Sequence, residues 1–190
     1  MTVTPELDRR FRDAAEAAGL VDVAFDVVDS PIGPLLVAMT DDGVCRISFD
    51  GHHDEDLDVA ARAFGARVLR LPRRTDAACR QLDEYFAGLR REFEVQVDLR
   101  ATPAFHRVVL AELARVPFGA TTTYGSLAQK VGRPRAARAV GGAMHSNPIP
   151  IVLPCHRVVG STGSLTGYAG GLHVKRRLLE LEGALPRELG

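Results

Sequence analysis

The spacing of apolar residues changes at the segment RATP, residues 100–103. Before it, the short runs VDVAFDVV, PLLVAM and GVCRISFD are separated by the turns DSPIG and TDDG, which is typical of strands in a β-meander. After it, apolar residues recur at helical spacing in AFHRVVLAELARVPFG, TTTYGSLAQKVG and HVKRRLLELEG. The chain is therefore expected to be an α+β protein whose two lobes join at this segment.

Other runs complete the predicted organisation. Leu7, Phe11, Ala14 and Ala15 lie at helical spacing, so an amphipathic helix opens the chain. DEDLDVAARAFGA and TDAACRQLDEYFAGL predict two further helices, and the alternation in REFEVQVDL predicts an edge or pairing strand. We predict three parts: a helical extension over residues 1–20, an α/β domain with a small antiparallel sheet over 21–100, and a helical domain over 103–186.

Chain length and cysteine content restrict the class of protein. No apolar run among the 190 residues approaches the ~20 needed to cross a bilayer, and the first residues do not resemble a signal peptide. Cys45, Cys79 and Cys155 are odd in number and widely spaced, so neither a disulfide framework nor a structural metal site is expected. Cys45 and Cys79 lie on apolar faces and are predicted to be core residues. The sequence indicates a cytoplasmic protein that makes no contact with membranes.

The charges are unevenly distributed along the chain. Residues 1–100 carry a net charge of −7 and residues 101–190 a net charge of +7, although the whole chain is neutral. A basic half favours a polyanion bound by that half alone, and nucleic acid is the obvious candidate. The alternative is that lobes of opposite charge simply attract each other.

Two short helices in the basic half suggest a DNA-binding motif. TTTYGSLAQKVG and AARAVGGAMHSN are joined by the tight turn GRPR, as in a helix-turn-helix, although an ordinary helical hairpin has the same pattern. The second helix is expected to carry Arg133 and Arg135 at its start and Arg138 one turn later. Small alanines beside them would let the helix backbone approach a groove closely.

The segment IPIVLPCHRVVG places Cys155 in an unusual setting. Pro150 and Pro154 restrict the backbone that presents the thiol, and His156 follows it directly. A thiol becomes a nucleophile when a neighbouring group, usually histidine, lowers its pKa. In an extended strand adjacent side chains point to opposite faces, so a turn or a bridging water is needed to connect the pair. A buried, inert cysteine remains the alternative.

The sequence also restricts the kind of reaction that Cys155 could carry out. Cysteine proteases seldom place the thiol and its histidine side by side, so an endopeptidase is disfavoured. The basic half points instead to thiol chemistry on DNA, where a modified base must leave the stack before it can react. An arginine on a groove-bound helix would fill the vacated space. The glycine-rich loop STGSLTGYAGGL lacks a Walker phosphate motif and is expected to bring its backbone close to a ligand.

The segment RAVGGAMHSNPIPIVLPCHRVVG, followed by GYAGGL and LLELEG, closely resembles the O6-alkylguanine-DNA alkyltransferases, also called methylated-DNA–protein-cysteine methyltransferases. The resemblance is dense from about residue 103 to 184 and most specific at PCHRV. It is looser over residues 21–100, where SPIGPLLVA and QLDEYFAG carry it. It implies a ribonuclease-H-like first lobe with a small antiparallel sheet and a helical, winged-helix-like second lobe that contains the helix-turn-helix.

The resemblance also implies an activity. The protein would flip O6-alkylguanine out of duplex DNA and transfer the alkyl group irreversibly to its own Cys155, so that each molecule acts once without a cofactor. O4-alkylthymine would be a further substrate. His156 would take the thiol proton through a water, Glu182 would orient His156, and Asn147 would hold the active-site turn.

Binding roles follow from the same resemblance. The protein would be a monomer in solution and would bind double-stranded DNA through the minor groove, either singly or cooperatively. Arg138 would replace the flipped base, with Arg135 and Ala137 on the same surface. Tyr124 would press on the phosphate 3′ to the lesion and hydrogen-bond the guanine. The residues that resemble the family's substrate pocket are Met144, Pro150, Val158, Tyr168, Ala169, Gly170 and Lys175.

Other interpretations remain open at this point. A lesion sensor with the same overall sequence pattern would bind the damaged base without transferring the alkyl group, although such proteins carry another residue in place of the cysteine. A helix-turn-helix transcription factor would prefer one operator sequence and usually dimerise. Glu182, taken alone, is better explained by an ion pair with Arg176 or by a solvent-facing position at the helix end.

Overall fold

The computed structural model describes residues 4–49 and 53–186. The first helix, α1, spans Pro5–Ala17, and the side chain of Thr4 caps it by accepting a hydrogen bond from the backbone N–H of Leu7. The predicted opening helix is therefore confirmed. Its apolar stripe is largely solvent-exposed, however, because Ala15 is the buried residue of this helix whereas Leu7 and Phe11 face outward. Residues 1–3 of the predicted extension lie outside the described residues.

A four-stranded sheet forms the centre of the N-terminal lobe. Strands β1 (Val23–Val28), β2 (Leu35–Thr40) and β3 (Gly43–Phe49) pair in antiparallel fashion, as the sequence predicts. A fourth strand, β4 (Val68–Arg70), pairs in parallel with β1, which makes the sheet mixed with the order β3-β2-β1-β4. Sequence analysis missed β4 because three residues are too few to establish an alternating pattern.

The prediction of a strand at REFEVQVDL is wrong. In this segment Val97 makes an isolated bridge to Val44, and the backbone N–H of Glu94 donates to the side chain of Gln81 instead of to a neighbouring strand. The segment runs past the edge of β3, where Gly43 at φ +132° lies so close to the backbone of Gln96 that no Cβ would fit. Its alternation therefore reflects packing against the core without a continuous ladder.

Two helices cover the sheet, as predicted. They are α2 (His53–Phe64) and α3 (Pro72–Phe86). Cys79 is buried on α3 and Cys45 is buried on β3, which confirms both as core residues. Burial raises the pKa of each thiol, to about 12 for Cys45, so neither is a thiolate at neutral pH.

The C-terminal lobe is mainly helical. Its elements are α4 (Ala104–Leu113), β5 (Thr122–Thr123), α5 (Tyr124–Lys130), α6 (Ala137–His145), a 3₁₀ turn (Cys155–Arg157), β6 (Val158–Val159) and α7 (Gly171–Leu181). Strands β5 and β6 pair in parallel. This short pairing, which the sequence did not predict, joins the start of α5 to the segment directly after Cys155.

Helices α5 and α6 form the predicted helix-turn-helix. Thr123 caps α5 by accepting a hydrogen bond from the backbone N–H of Ser126, and Gly132 at φ +71° turns the chain toward α6. Because α6 begins at Ala137, Arg133 and Arg135 lie in the turn and not on the helix, which corrects the prediction from sequence.

One apolar core extends through both lobes. It includes Leu35 and Leu82 of the N-terminal lobe together with Leu110, Leu127 and Leu178 of the C-terminal lobe. The backbone N–H of Ile47 also donates to the carbonyl of Pro148 at 2.9 Å. The sheet therefore supports the segment that leads to Cys155. Within the described ranges, no helix is long and apolar enough to span a bilayer.

Candidate active site

Asn147 fixes the turn that precedes the thiol. Its side-chain oxygen accepts from the backbone N–H of Ile149 at 3.1 Å, and its side-chain nitrogen donates to the carbonyl of Leu153 at 2.8 Å. Within this turn Ile151 adopts φ +74°, a conformation that a β-branched residue rarely takes. Strained backbone of this kind persists where the surrounding structure holds it in place, and it is common at functional sites.

Cys155 begins a 3₁₀ turn that ends at Arg157. The turn replaces the extended geometry that would have sent Cys155 and His156 to opposite faces. The thiol is 5% exposed, and burial raises its pKa to about 11, although the side chain of Asn147 and the charge of Lys175 act in the opposite direction. At neutral pH the thiol therefore keeps its proton until another group accepts it.

His156 is fully buried and lies 2.8 Å from Glu182, measured from Nε2 to Oε1. Burial lowers the pKa of His156 and outweighs the opposing influence of Glu182, so the ring is neutral at neutral pH. Because an ionised carboxylate only accepts hydrogen bonds, the ring proton lies on Nε2. Nδ1 then carries a free lone pair, and among the residues that the structure describes it has no hydrogen-bond partner.

The carboxylate of Glu182 is the centre of the hydrogen-bond network. Besides His156, its oxygens accept from Nε and Nη2 of Arg157 at 2.8 Å, from the hydroxyl of Tyr85 at 2.8 Å and from the backbone N–H of Gly119 at 3.3 Å. Burial on its own raises the pKa of Glu182, but the hydrogen bonds from His156 and Arg157 prevail and bring it down to about 2.

Sequence reasoning missed three members of this network: Arg157 within PCHRV, Tyr85 within QLDEYFAG, and the backbone N–H of Gly119. The signal for Arg157 was available, since an arginine beside a candidate histidine is a natural partner for a buried carboxylate. Tyr85 offered no local signal because it lies 97 positions from Glu182. The oxygens of Glu182 are occupied by these donors and not by the alternative ion pair with Arg176.

Lys175 connects the thiol segment to the glycine-rich loop. Its ammonium group is buried and donates to the carbonyls of Val158 at 2.6 Å and Thr166 at 2.8 Å. Burial lowers the pKa of Lys175, while the nearby Cys155 raises it. A charge on Lys175 would therefore favour the thiolate, and the same side chain holds the loop against β6.

Tyr168 of the glycine-rich loop lies beside the histidine. Its ring centroid is 6.5 Å from that of His156 and 5.5 Å from that of Phe49 on β3. Its hydroxyl is buried and has no partner within the described ranges, so it can donate to a bound ligand. Gly170 lies against the ring of Phe49, where an added Cβ would be 3.1 Å from the nearest atom.

The remaining predicted pocket residues lie in the same region of the fold. Met144 and Val158 are buried in the core cluster that also contains Cys155. Pro150 and Ala169 are among the residues that line a groove of about 620 Å³ between the two lobes. Among residues 4–49 and 53–186, no group of three or more His, Cys, Asp or Glu side chains is arranged to hold a metal ion.

The candidate DNA-contacting residues divide into two groups. The hydroxyl of Tyr124 is 2.9 Å from that of Thr166, which places the start of α5 against the glycine-rich loop. Arg138 is exposed and Ala137 is half-buried in the first turn of α6, and Arg135 is exposed in the turn that precedes the helix. The ring of Tyr124 approaches Gly141, so small residues of α6 also serve its packing against α5.

Replacing Gly119 with alanine should perturb the network through its backbone. Gly119 and Gly132 have φ of +76° and +71°, but only at Gly119 would a Cβ meet a neighbour, the backbone oxygen of Glu182 at 2.9 Å. Because alanine disfavours the left-handed conformation, the free energy of unfolding of both variants should fall by about 1–2 kcal/mol. In urea-induced unfolding, we expect the free energy of unfolding of Gly119→Ala to fall by at least about 1 kcal/mol more than that of Gly132→Ala. Equal losses in the two variants would contradict this close approach.

The depressed pKa of Glu182 makes stability depend on pH. The folded pKa of about 2 lies below the ordinary value of 4.5, so the stabilisation is complete above about pH 4.5 and is lost as the pH falls toward 2. At neutral pH, Glu182→Gln should lower the free energy of unfolding by about 3–5 kcal/mol because Arg157 and His156 lose their charged partner.

The difference in unfolding free energy between wild type and Glu182→Gln should therefore shrink at about pH 3, as measured by urea denaturation. Glu180→Gln is the matched control, since Glu180 is also buried on α7 but its Oε1 has no partner in the described part of the chain. A difference that stays constant from neutral to acid pH would mean that Glu182 is not held as a carboxylate.

Two family models match almost the whole described chain. The model described as "6-O-methylguanine DNA methyltransferase, ribonuclease-like domain" matches residues 23–99. The model described as "6-O-methylguanine DNA methyltransferase, DNA binding domain" matches residues 104–184. Together with the observed helices and sheet, these matches confirm the predicted α+β fold class with a ribonuclease-like first lobe.

Characterised relatives and solved structures agree with these matches. A methylated-DNA–protein-cysteine methyltransferase of Methanosarcina acetivorans is 39% identical over 84% of this chain and 98% of its own length. The protein of that name from Mycobacterium tuberculosis is 41% identical over 84% of this chain and 92% of its own. A crystal structure of M. tuberculosis OGT in complex with DNA has a TM-score of 0.75 at 40% identity and covers 85% of this chain and 93% of that one.

The identity to these relatives extends over both lobes. The matched ranges include the segments that carry the thiol turn, the buried carboxylate and the helix-turn-helix described above. The chain belongs to the O6-alkylguanine-DNA alkyltransferase (6-O-methylguanine DNA methyltransferase) family.

Proposed function

We propose that this protein repairs DNA by transferring the alkyl group of O6-alkylguanine to the sulfur of Cys155. The observation that carries the proposal is the buried Cys155-His156 turn, in which His156 is held by Glu182 at 2.8 Å and presents a free Nδ1. The family membership and the names of the relatives support the same reaction. O4-alkylthymine is included in the proposal as a second substrate.

The proton of the thiol is the first obstacle to the reaction. Burial holds the pKa of Cys155 at about 11, so deprotonation must accompany the attack. We assign His156 the role of base, with Nδ1 accepting the proton through a water. The imidazolium that forms would be stabilised by the carboxylate of Glu182, as in other nucleophile-histidine-carboxylate systems.

The transfer is then a single displacement. The sulfur forms a bond to the alkyl carbon while the bond from that carbon to O6 breaks, and guanine takes up one proton as it leaves. The product is a thioether and a restored guanine. Since nothing in this reaction removes the alkyl group from sulfur, each protein molecule reacts once, and no cofactor enters the balance.

DNA binding is assigned to the helix-turn-helix. Arg138 and Ala137 lie in the first turn of α6 and Arg135 lies in the turn that precedes it. Both arginines are exposed on the basic lobe, which supports contact with phosphates. In this proposal α6 enters the minor groove, Arg138 fills the space of the flipped base and Tyr124 contacts the lesion's 3′ phosphate. Binding without base reading suits damage that arises beside any sequence.

The flipped base would bind beside Tyr168, among the residues that resemble the family's substrate pocket. In this assignment Met144, Pro150 and Tyr168 form its walls. Val158 and the Ala169-Gly170 backbone face the base, and Lys175 holds the loop. The buried hydroxyl of Tyr168 supports this assignment because it is available as a donor. In this proposal the protein acts as a monomer, and three buried thiols suit a reducing, cytoplasmic location.

Transfer to Cys155 can be tested directly by mass spectrometry. After incubation with duplex DNA containing one O6-methylguanine, we expect one methyl group per protein molecule, located on the Cys155 peptide. Cys155→Ser should abolish transfer, whereas Cys45→Ser and Cys79→Ser should retain it because both residues are core thiols. Tight binding of the lesion with no methyl on Cys155 would establish the sensor alternative instead.

The proposed role of Arg138 in replacing the flipped base can be tested separately from the effect of its positive charge. Arg138→Ala should lower the single-turnover transfer rate on duplex DNA by about 10-fold, because the flipped base is no longer replaced in the stack. Arg107→Ala removes the same charge from an exposed position on α4 and should have a much smaller effect. With the O6-methylguanine nucleoside as substrate, both variants should match wild type. If the transfer rate of both variants on duplex DNA falls equally, Arg138 acts as a phosphate contact and does not replace the flipped base.

A further inference from the structure

The N-terminal lobe contacts the catalytic network through one hydroxyl group. Tyr85 lies in the last turn of α3, and its hydroxyl donates to Oε1 of Glu182 at 2.8 Å. The side chain is completely buried and is among the largest fully buried side chains of the described chain. The lobe that carries neither the thiol nor the helix-turn-helix therefore contributes directly to the surroundings of His156.

Tyr85 is held rigidly in this position. Its ring lies 5.3 Å from Phe86, 5.5 Å from Phe93 and 6.2 Å from Phe118, measured between centroids. These rings come from α3, from the segment after α3 and from the loop before β5. Burial and the neighbouring carboxylate of Glu182 raise the pKa of Tyr85 far above its usual value, so the hydroxyl remains a donor.

The hydroxyl acts on the same oxygen that orients the histidine. Oε1 of Glu182 accepts from Tyr85, from Nε2 of His156 and from Nη2 of Arg157, all at 2.8 Å. Arg157 alone fixes the plane of the carboxylate through its two parallel hydrogen bonds. Tyr85 adds a third donor from the opposite lobe and restricts the carboxylate against displacement toward or away from His156.

We infer that Tyr85 is a positioning residue that couples the packing of the N-terminal lobe to the reactivity of Cys155. This inference rests on the proposed transfer to Cys155. Tyr85 touches neither the thiol nor the substrate and acts through Glu182 and then His156. A shift of α3 relative to the C-terminal lobe would loosen the carboxylate and misalign Nδ1 with the thiol proton.

Tyr85→Phe tests the inference because it removes one oxygen and keeps the ring packing. In single-turnover reactions with duplex DNA containing O6-methylguanine, we expect the transfer rate constant to fall by about 10-fold, since small misplacements of catalytic groups are costly. The dissociation constant for the same DNA should not change. Thr75→Val is the matched control: it removes a buried hydroxyl from α3 that, in the described part of the chain, bonds to the carbonyl of Pro72 and to Cys79 and not to Glu182.

A second measurement separates positioning from general destabilisation. The pH dependence of Cys155 alkylation by iodoacetamide, followed on the Cys155 peptide, reports the apparent pKa of the thiol. Tyr85→Phe should raise that pKa, because the proton acceptor is less well aligned, whereas Thr75→Val should leave it at the wild-type value even if its melting temperature falls. A merely structural role would lower the melting temperature of both variants and leave the thiol pKa unchanged.

The outcomes distinguish the inference from the function on which it rests. If wild-type protein transfers no methyl group to Cys155, the proposed function is wrong and the inference is lost with it. If wild type transfers the group and Tyr85→Phe matches it within about twofold in rate constant, with an unchanged thiol pKa, only the inference is overturned. A similar fall in the transfer rate constant of Thr75→Val would also overturn the inference about Tyr85.

Discussion

The buried carboxylate of Glu182 is the interaction on which the site depends. An isolated charge in a protein interior is strongly unfavourable, and this one is tolerated because Arg157 neutralises it and donors from Tyr85, His156 and Gly119 also bind it. The donors come from α3, from the loop before β5 and from the 3₁₀ turn that begins at Cys155. One ionised group thus determines how three separate segments pack, and the position of His156 follows from that packing.

The same arrangement separates the functions of the two residues that follow Cys155. His156 and Arg157 both donate to Glu182, yet Arg157 keeps its charge permanently whereas the neutral ring of His156 retains a free nitrogen. Arg157 therefore serves stability and leaves His156 available for proton transfer. Asn147 through its side-chain hydrogen bond and Lys175 through its charge favour the ionised form of the thiol against the effect of burial.

The elements predicted from sequence were those with local signals. The three antiparallel strands, the helix-turn-helix and the core positions of Cys45 and Cys79 follow from periodicity and turn residues. Strand β4 was too short for a pattern. The segment from Arg91 to Leu99 alternates but makes an isolated bridge to β3 at Val97 instead of a continuous ladder, and the backbone N–H of Glu94 donates to the side chain of Gln81. Tyr85 and Gly119 reach Glu182 across long sequence separations, and no local rule connects residues so far apart. The motif around PCHRV led to the thiol site, but only the three-dimensional structure reveals how much of the chain supports it.

The opposite charges of the two lobes have a consequence for the encounter with DNA. Lobes of −7 and +7 give a neutral molecule a large electric dipole, so the field of a duplex exerts a torque on the protein before any contact forms. The basic end turns toward the phosphates and the acidic end is repelled from them. Such pre-alignment reduces the orientational search during diffusion, an advantage for a protein that reacts once and must locate a rare lesion among many intact base pairs.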